Sequence, residues 1–247
     1  MNIYTTPDAL QCAGAKLYNV INATFFTANP TITEITCTGD IQVHTIYNGL
    51  ATTEIYSNLT DTAVSLKADA ETLVRIVGDV TAITFPYDGH YPGDTSGQPR
   101  LKTIITANCR SLKSLTVKSA LNLTSLDLSK NTALTYLDCS YCKITSLDLS
   151  KNTALTSLYC RECTGITSLD LSKNTALTTL DCTSCTSLTS LRCNAYNEGV
   201  TSNLSAEITN ATSTTGTVTV FAPLTYASTI KTAATTKGWS YTEQETA

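Results

Sequence analysis

Charge is scarce in this 247-residue sequence: Asp, Glu, Lys and Arg make up 15% of it, and the net charge is −4. So weak and slightly acidic a balance offers no field to draw the chain to nucleic acid or to an anionic membrane, and neither partner is expected. Histidine is scarcer still, with two residues, His44 and His90. Nucleophilic catalysis needs a base beside its nucleophile, and the chain has no G-x-S-x-G elbow, no P-loop and no G-x-G-x-x-G turn. The expectation is a protein that is not an enzyme and takes no cofactor. No apolar run approaches the roughly 18 residues that would insert into a bilayer, and the opening Met1-Asn-Ile-Tyr-Thr-Thr-Pro has no basic or apolar leader segment. As written the chain is expected to be soluble and without an export signal. Three histories then stay open for its location: the cytosol, an outer surface after a leader has been trimmed, or a virus particle.

Thr and Ser fill the polar remainder. The branched β-carbon of Thr suits a pleated surface and its hydroxyl keeps an exposed face wet without charge, so the composition leans towards β-structure. The order of the residues says more. From Leu101 the phrase apolar-x-x-apolar-x-apolar returns about every 11 residues, opening at Leu101, Leu112, Leu123, Leu134, Ile144, Leu155, Ile166, Leu177 and Leu188. Alternate phrases are nearly identical. Leu123-Thr-Ser-Leu-Asp-Leu-Ser-Lys-Asn-Thr-Ala comes back at Ile144 and at Ile166, so the true period is 21 to 22 residues with two half-motifs in each. A fixed period of that size means a solenoid.

The other half-motif reads Leu134-Thr-Tyr-Leu-Asp-Cys-Ser-Tyr-Cys, then Leu155-Thr-Ser-Leu-Tyr-Cys-Arg-Glu-Cys, then Leu177-Thr-Thr-Leu-Asp-Cys-Thr-Ser-Cys. This resembles the leucine-rich-repeat signature L-x-x-L-x-L-x-x-N/C, and most of all the short repeats of internalin-type and gut-bacterial surface proteins, in which a cysteine replaces a core leucine and stacks as a ladder. The resemblance covers residues 101–195, with a first strand expected at 80–85. It implies a β-rich solenoid, a right-handed leucine-rich-repeat coil with a parallel sheet, and ligand binding on the solenoid surface without catalysis. The residues themselves agree: alternate strand residues face inward, so Leu137 and Cys139 should enter the core while Tyr136, Asp138 and Ser140 face solvent.

The expected organisation is an α+β region over 1–79, serving as cap or docking part, the solenoid over 80–195 with an inserted loop at 86–100, and an α/β cap over 196–247. End coils must differ, since they would otherwise expose core and an unpaired sheet edge. In the first region Thr6-Pro7-Asp8 reads as a helix start, with Leu10, Ala13, Leu17, Val20 and Ile21 at helical spacing, and 31–37 and 41–46 read as strands. In the last, 204–210 is a decayed repeat and 217–221 reads as a strand. Pro223 then opens a helix with Tyr226, Ile230 and Ala233 or Ala234 on one face, stopped by Gly238 ahead of Trp239.

Ten cysteines include the pairs Cys139/Cys142, Cys160/Cys163 and Cys182/Cys185. Two of these together match a zinc-ribbon spacing. Their spacing is also the period of the repeat, and a ladder along a coil axis does not place four sulfurs in a tetrahedron. Buried free thiols, with no metal and no disulfides, are therefore expected. Asp127, Asp148 and Asp170 each stand three residues before Lys130, Lys151 and Lys173; a solvated charge ladder is expected there rather than paired carboxylates for metal or acid–base work. His44, in an alternating strand, is expected to be a surface or packing residue.

Two places could hold a ligand. Outward positions of the cysteine half-motif change from coil to coil: Tyr136, Asp138 and Tyr141 give way to Ser157, Tyr159 and Glu162, then to Thr179, Asp181 and Ser184. The other half-motif keeps Thr-Ser, Asp and Ser-Lys-Asn-Thr-Ala unchanged. Constancy suits a structural ladder, and variation suits a face that touches something irregular. The first candidate surface is therefore Tyr136, Asp138, Tyr141, Tyr159, Arg161, Glu162 and Asp181, binding a protein or glycan ligand. The second is the loop 86–100 with Tyr87, Asp88, His90 and Tyr91, since binding residues concentrate on loops held by rigid scaffolds; the competing expectation for it, and the one favoured, is a structural loop covering the solenoid's N-terminal edge. The competing expectation is a structural part of a larger particle, such as a phage virion decoration or fibre protein.

Overall fold

A computed structural model describes residues 20–26, 31–47, 50–68, 73–78, 80–85, 100–106, 109–194, 217–221 and 224–244. From residue 80 the chain winds as a parallel β-solenoid. One stack of strands comprises β5 (Ala82–Thr84), β7 (Ser114–Thr116), β8 (Tyr136–Asp138), β9 (Ser157–Tyr159) and β11 (Thr179–Asp181), each parallel to the next. Their middle residues, Ile83, Leu115, Leu137, Leu158 and Leu180, stand in register and are all buried. A second parallel stack lies on the other half of the coil: β10 (Ser168–Asp170), β12 (Ser190–Asn194), β13 (Thr217–Phe221) and β14 (Ser240–Gln244), with Leu169, Leu191, Val218 and Tyr241 in register. The repeated half-motif thus makes two unlike walls around one core.

Two polar columns hold successive coils together from inside. Asn131, Asn152 and Asn174 are buried, and each Nδ2 donates to two main-chain oxygens of the preceding coil. Asn131 reaches Thr106 at 3.0 Å and Cys109 at 2.7 Å, Asn152 reaches Leu128 at 3.1 Å and Asn131 at 2.9 Å, and Asn174 reaches Leu149 at 3.1 Å and Asn152 at 2.9 Å. In the cysteine half-motif the same place is taken by Cys142, Cys163 and Cys185, whose thiols donate to the oxygens of Val117, Cys139 and Cys160, each at 3.1 Å. Cys109 stands in the asparagine column and donates to Val80 at 3.2 Å. A buried carbonyl without a donor is costly, so these side chains do for the coil's turns what a ladder does for a strand.

Strands end where an aspartate closes a local turn: Asp138 Oδ1 accepts from the Ser140 amide at 3.0 Å and Asp181 Oδ1 from the Thr183 amide at 3.0 Å. Ser140 is buried rather than solvent-facing, because the chain folds inward at once. The amide of Ser119 donates to its carbonyl oxygen at 2.7 Å, and Tyr141 follows with φ 63°. The equivalent residues Ser119, Glu162 and Ser184 also have positive φ. Coil length varies by one residue: Leu123 to Ile144 is 21 residues, whereas Ile144 to Ile166 is 22. The extra residue falls beside Gly165, where a β-carbon would lie 2.7 Å from the Ile144 carbonyl oxygen, so only glycine fits without displacing backbone.

β1 (Val20–Phe26), β2 (Thr31–Tyr47), β3 (Leu50–Ala68) and β4 (Leu73–Gly78), ahead of the solenoid, and β6 (Arg100–Ile105), within its first coil, join antiparallel to one another. β3 runs the length of β2 on one edge, while β4 and β5 share the other, so this sheet is continuous with the first solenoid stack. The two strands expected at 31–37 and 41–46 are one, with register breaks between Cys37 and Ile41, and His44 lies within it. Val20 and Ile21 belong to a strand, not to a helix: β4 and β6 flank β1, and that pairing outweighs a helical spacing of apolar residues. The rest of that expected helix, residues 86–99 of the expected loop and the decayed repeat at 204–210 lie outside the described residues.

At the C-terminal end α1 (Leu224–Lys237) connects β13 to β14. Ile230 and Ala234 are buried. Gly238, at φ 82°, donates to the Thr235 oxygen at 3.1 Å and Trp239 to that of Ala234 at 2.9 Å, the paired bonds that end a helix at glycine.

Candidate functional site

The outward residues of β7, β8, β9 and β11 form the surface singled out by its variation. Because Leu137, Leu158 and Leu180 point into the core, their strand neighbours point out, so Tyr136 and Asp138 on β8, Tyr159 on β9 and Asp181 on β11 share one face, each half-buried. Register sets their neighbours. Tyr159 is paired with Asp138 on one side and Asp181 on the other, while Tyr136 is paired with Ser157. The two tyrosines meet on the diagonal, ring centroids 5.6 Å apart and planes tilted by 42°. Burial, with the nearby charges of Asp138 and Tyr159, raises the Tyr136 phenol above its ordinary range.

Tyr141, Arg161 and Glu162 sit in the turns that follow β8 and β9, along one margin of this face; Arg161 is exposed. Lys118, which the sequence reading did not select, lies with Nζ 5.7 Å from the centroid of Tyr141. Its place in the repeat could have shown it, since it occupies the position of Ser140 and Arg161 in the coils that follow. Tyr87, Asp88, His90 and Tyr91, in the loop 86–100, lie outside the described residues.

The second stack presents a different chemistry. Asp127, Asp148 and Asp170 each accept the amide of the residue two further on, Ser129, Ser150 and Ser172, at 2.9 Å. Those bonds hold the Asp127 and Asp148 carboxyls below the usual carboxylate range. At Asp170 burial pulls the other way but is outweighed by Ser172, Arg192 and Lys173. Arg192 of the next coil pairs with Asp170 at 2.9 Å. These aspartates are turn-closers.

The described cysteines, Cys109, Cys139, Cys142, Cys160, Cys163, Cys182, Cys185 and Cys193, are buried and unbridged. The surroundings of Cys139, Cys142, Cys160 and Cys193 oppose ionisation, while the bond with Cys139 holds the Cys163 thiol below its ordinary range. The bond between Cys139 and the Cys163 sulfur, and then burial, push the Cys139 thiol up; burial pushes Cys193 up to about 12 and Cys142 well above the ordinary range. Among the described residues no group of three or more His, Cys, Asp or Glu is placed to hold a metal ion, and no helix is long and apolar enough to cross a membrane.

The architecture defines a class: a parallel β-solenoid of repeated 21- to 22-residue coils with an internal column of cysteines. The chain matches no family model and no curated protein. Among solved structures it is similar to the functional domain of InlJ from Listeria monocytogenes, described as including a cysteine ladder. Identity is 28% over 57% of this chain and 31% of that one, with a TM-score of 0.32. This chain thus spans about a third of that protein's solved length.

Proposed function

We propose that the chain is a non-enzymatic recognition or adhesion module of the leucine-rich-repeat kind, engaging a protein or glycan through the face of β7, β8, β9 and β11. The contrast between the two walls carries this reading. Both walls do the same structural work, yet the second repeats Thr, Ser, Asp, Ser and Lys across three coils, whereas on the first the column through β7, β8, β9 and β11 reads Thr116, Asp138, Tyr159, Asp181. Structural duty therefore does not account for the variety. Tyr136, Tyr141, Tyr159 and Arg161, of the residue types that dominate interaction hot spots, lie on the variable wall and its margin.

The area of a few coils is modest, so engagement should be weak or multivalent rather than tight and monovalent. The test is alanine substitution of Tyr136, Tyr141, Tyr159, Arg161 and Glu162 against a control set of Ser146, Ser168, Lys151 and Lys173, scored as attachment by intact cells or assembled particles. Attachment should fall with the first set and survive the second. The reverse result would place the recognition surface on the other wall.

A further inference from the structure

Asp138 and Asp181 flank Tyr159 in register on the neighbouring strands, each strand about 4.8 Å away, and Tyr136 packs its ring beside that of Tyr159. We propose that this Asp-Tyr-Asp row, with Tyr136 beside it, is a seat for an arginine side chain on a protein partner. The inference rests on the recognition reading above and narrows its ligand.

Three observations point to a guanidinium. The protein already makes the complementary pair on its other wall. There Asp170 of β10 is in register with Arg192 of β12, and the two bond at 2.9 Å. The equivalent column of the first wall offers two aspartates, and the residue in register between them is a tyrosine. An arginine supplied from outside would complete there what Arg192 completes within the chain.

Second, each carboxylate is held in direction by its own turn, Asp138 by the Ser140 amide and Asp181 by the Thr183 amide, so the row is organised before a ligand arrives. Third, a cation over a tyrosine ring recurs in this fold, with Lys118 over Tyr141 at 5.7 Å and Lys231 over Tyr241 at 5.9 Å. A guanidinium is flat enough to lie on an aromatic ring and carries N–H groups in its plane for a carboxylate at the edge. A neutral sugar would stack on the rings but leave two carboxylates partly desolvated without a counter-charge.

The probes are the peptide Gly-Arg-Gly-Arg-Gly, its lysine counterpart, and a neutral N-acetylglucosamine tetramer, each titrated against the full chain with the ring resonances of Tyr136 and Tyr159 observed by NMR. The arginine peptide should give saturable shifts, about threefold weaker for lysine, whose ammonium can lie over a ring but has no planar fork of N–H groups to reach the flanking carboxylates at the same time. Affinity should fall about tenfold in the double variant D138N/D181N and weaken between about 50 and 300 mM salt. Asparagine still accepts the turn amides, so the variant is expected to keep the wild-type urea midpoint. No saturable shift with arginine, undiminished binding in D138N/D181N, or tighter binding of the sugar would each overturn the seat. Attachment assays separate the two readings. If Y136A/Y159A loses attachment while D138N/D181N keeps it, the arginine seat falls and the recognition face stands; if neither variant loses attachment, the face itself is wrong.

Discussion

Nδ2 of Asn152 donates to the main-chain oxygen of Asn131 at 2.9 Å across one full coil, with both residues buried. The Asn131 side chain has a further partner: its Oδ1 accepts the Thr106 hydroxyl at 2.6 Å. In the later coils Leu128 and Leu149 stand where Thr106 does, and Oδ1 of Asn152 and of Asn174 is buried with no donor. Thr106→Val keeps the shape and removes only the donor, so it should cost about 1–3 kcal/mol. Thr135→Val, which removes a hydroxyl bonded to the Lys113 oxygen at a wet edge, should change stability by no more than about 0.5 kcal/mol. Urea midpoints of the two variants should differ; equal midpoints would mean that the Thr106 bond contributes nothing.

Leu137, Leu158 and Leu180 are stacked and fully enclosed, and a stacked core has little freedom to collapse around a lost side chain. Alanine at any one of them should destabilise the chain by about 2–5 kcal/mol. Denaturation midpoints that barely move for all three would contradict the inward face described for β8, β9 and β11.

The left-handed turn residues give a test of backbone rather than of packing. Glu162 has φ 54°, a conformation that side chains resist and β-branched ones resist most. Glu162→Val should cost about 1–2 kcal/mol, while Glu162→Gly should be neutral or slightly stabilising. Gly165→Ala should also destabilise, by about 1–3 kcal/mol, because its new methyl meets the Ile144 backbone oxygen. Thermal melts of the three variants order them directly.

Alkaline pH should unfold the protein early. Cys142 and Cys193 have thiol pKa values raised by burial, so the folded state keeps protons that the unfolded chain releases above about pH 8.5. Stability from these groups is fully present below that pH and declines above it, by about 1.4 kcal/mol per pH unit for each thiol. Cys142→Ala should flatten the decline between pH 9 and 11, at positions where alanine is already tolerated, as Ala120 one coil earlier shows. A decline of unchanged slope would assign the alkaline loss to other groups.

The period, the inward leucines and the inward place of the cysteines were legible because a solenoid makes one local rule repeat: what holds at Leu137 holds again at Leu158 and Leu180. The bend at Ser140 was not, since strand alternation gives no warning that Asp138 will close a turn one residue later. Val20 and Ile21 show the same limit, for their apolar spacing fits a helix and only the flanking strands β4 and β6, distant in sequence, decide otherwise. At the candidate face the sequence showed which residues vary. That Tyr136 and Tyr159 touch on the diagonal, and that two aspartates bracket the second of them, depends on register, which a list of half-motifs does not contain.

Three columns of side-chain donors between coils point one way, whereas the Thr106 hydroxyl at the start of the coils donates forward to Asn131 Oδ1 and to the Asp127 oxygen. Asn131, Asn152 and Asn174, Cys142, Cys163 and Cys185, and Thr135, Thr156 and Thr178 all donate to carbonyls of the coil made before them. A chain leaving the ribosome therefore brings its donors to acceptors that already exist, and a nascent length ending after any whole coil has its asparagines and thiols engaged. A length missing its front is in the opposite position, with Asn152 or Cys163 buried against nothing that can receive them. The repeat has an arrow, and it points the way the protein is synthesised.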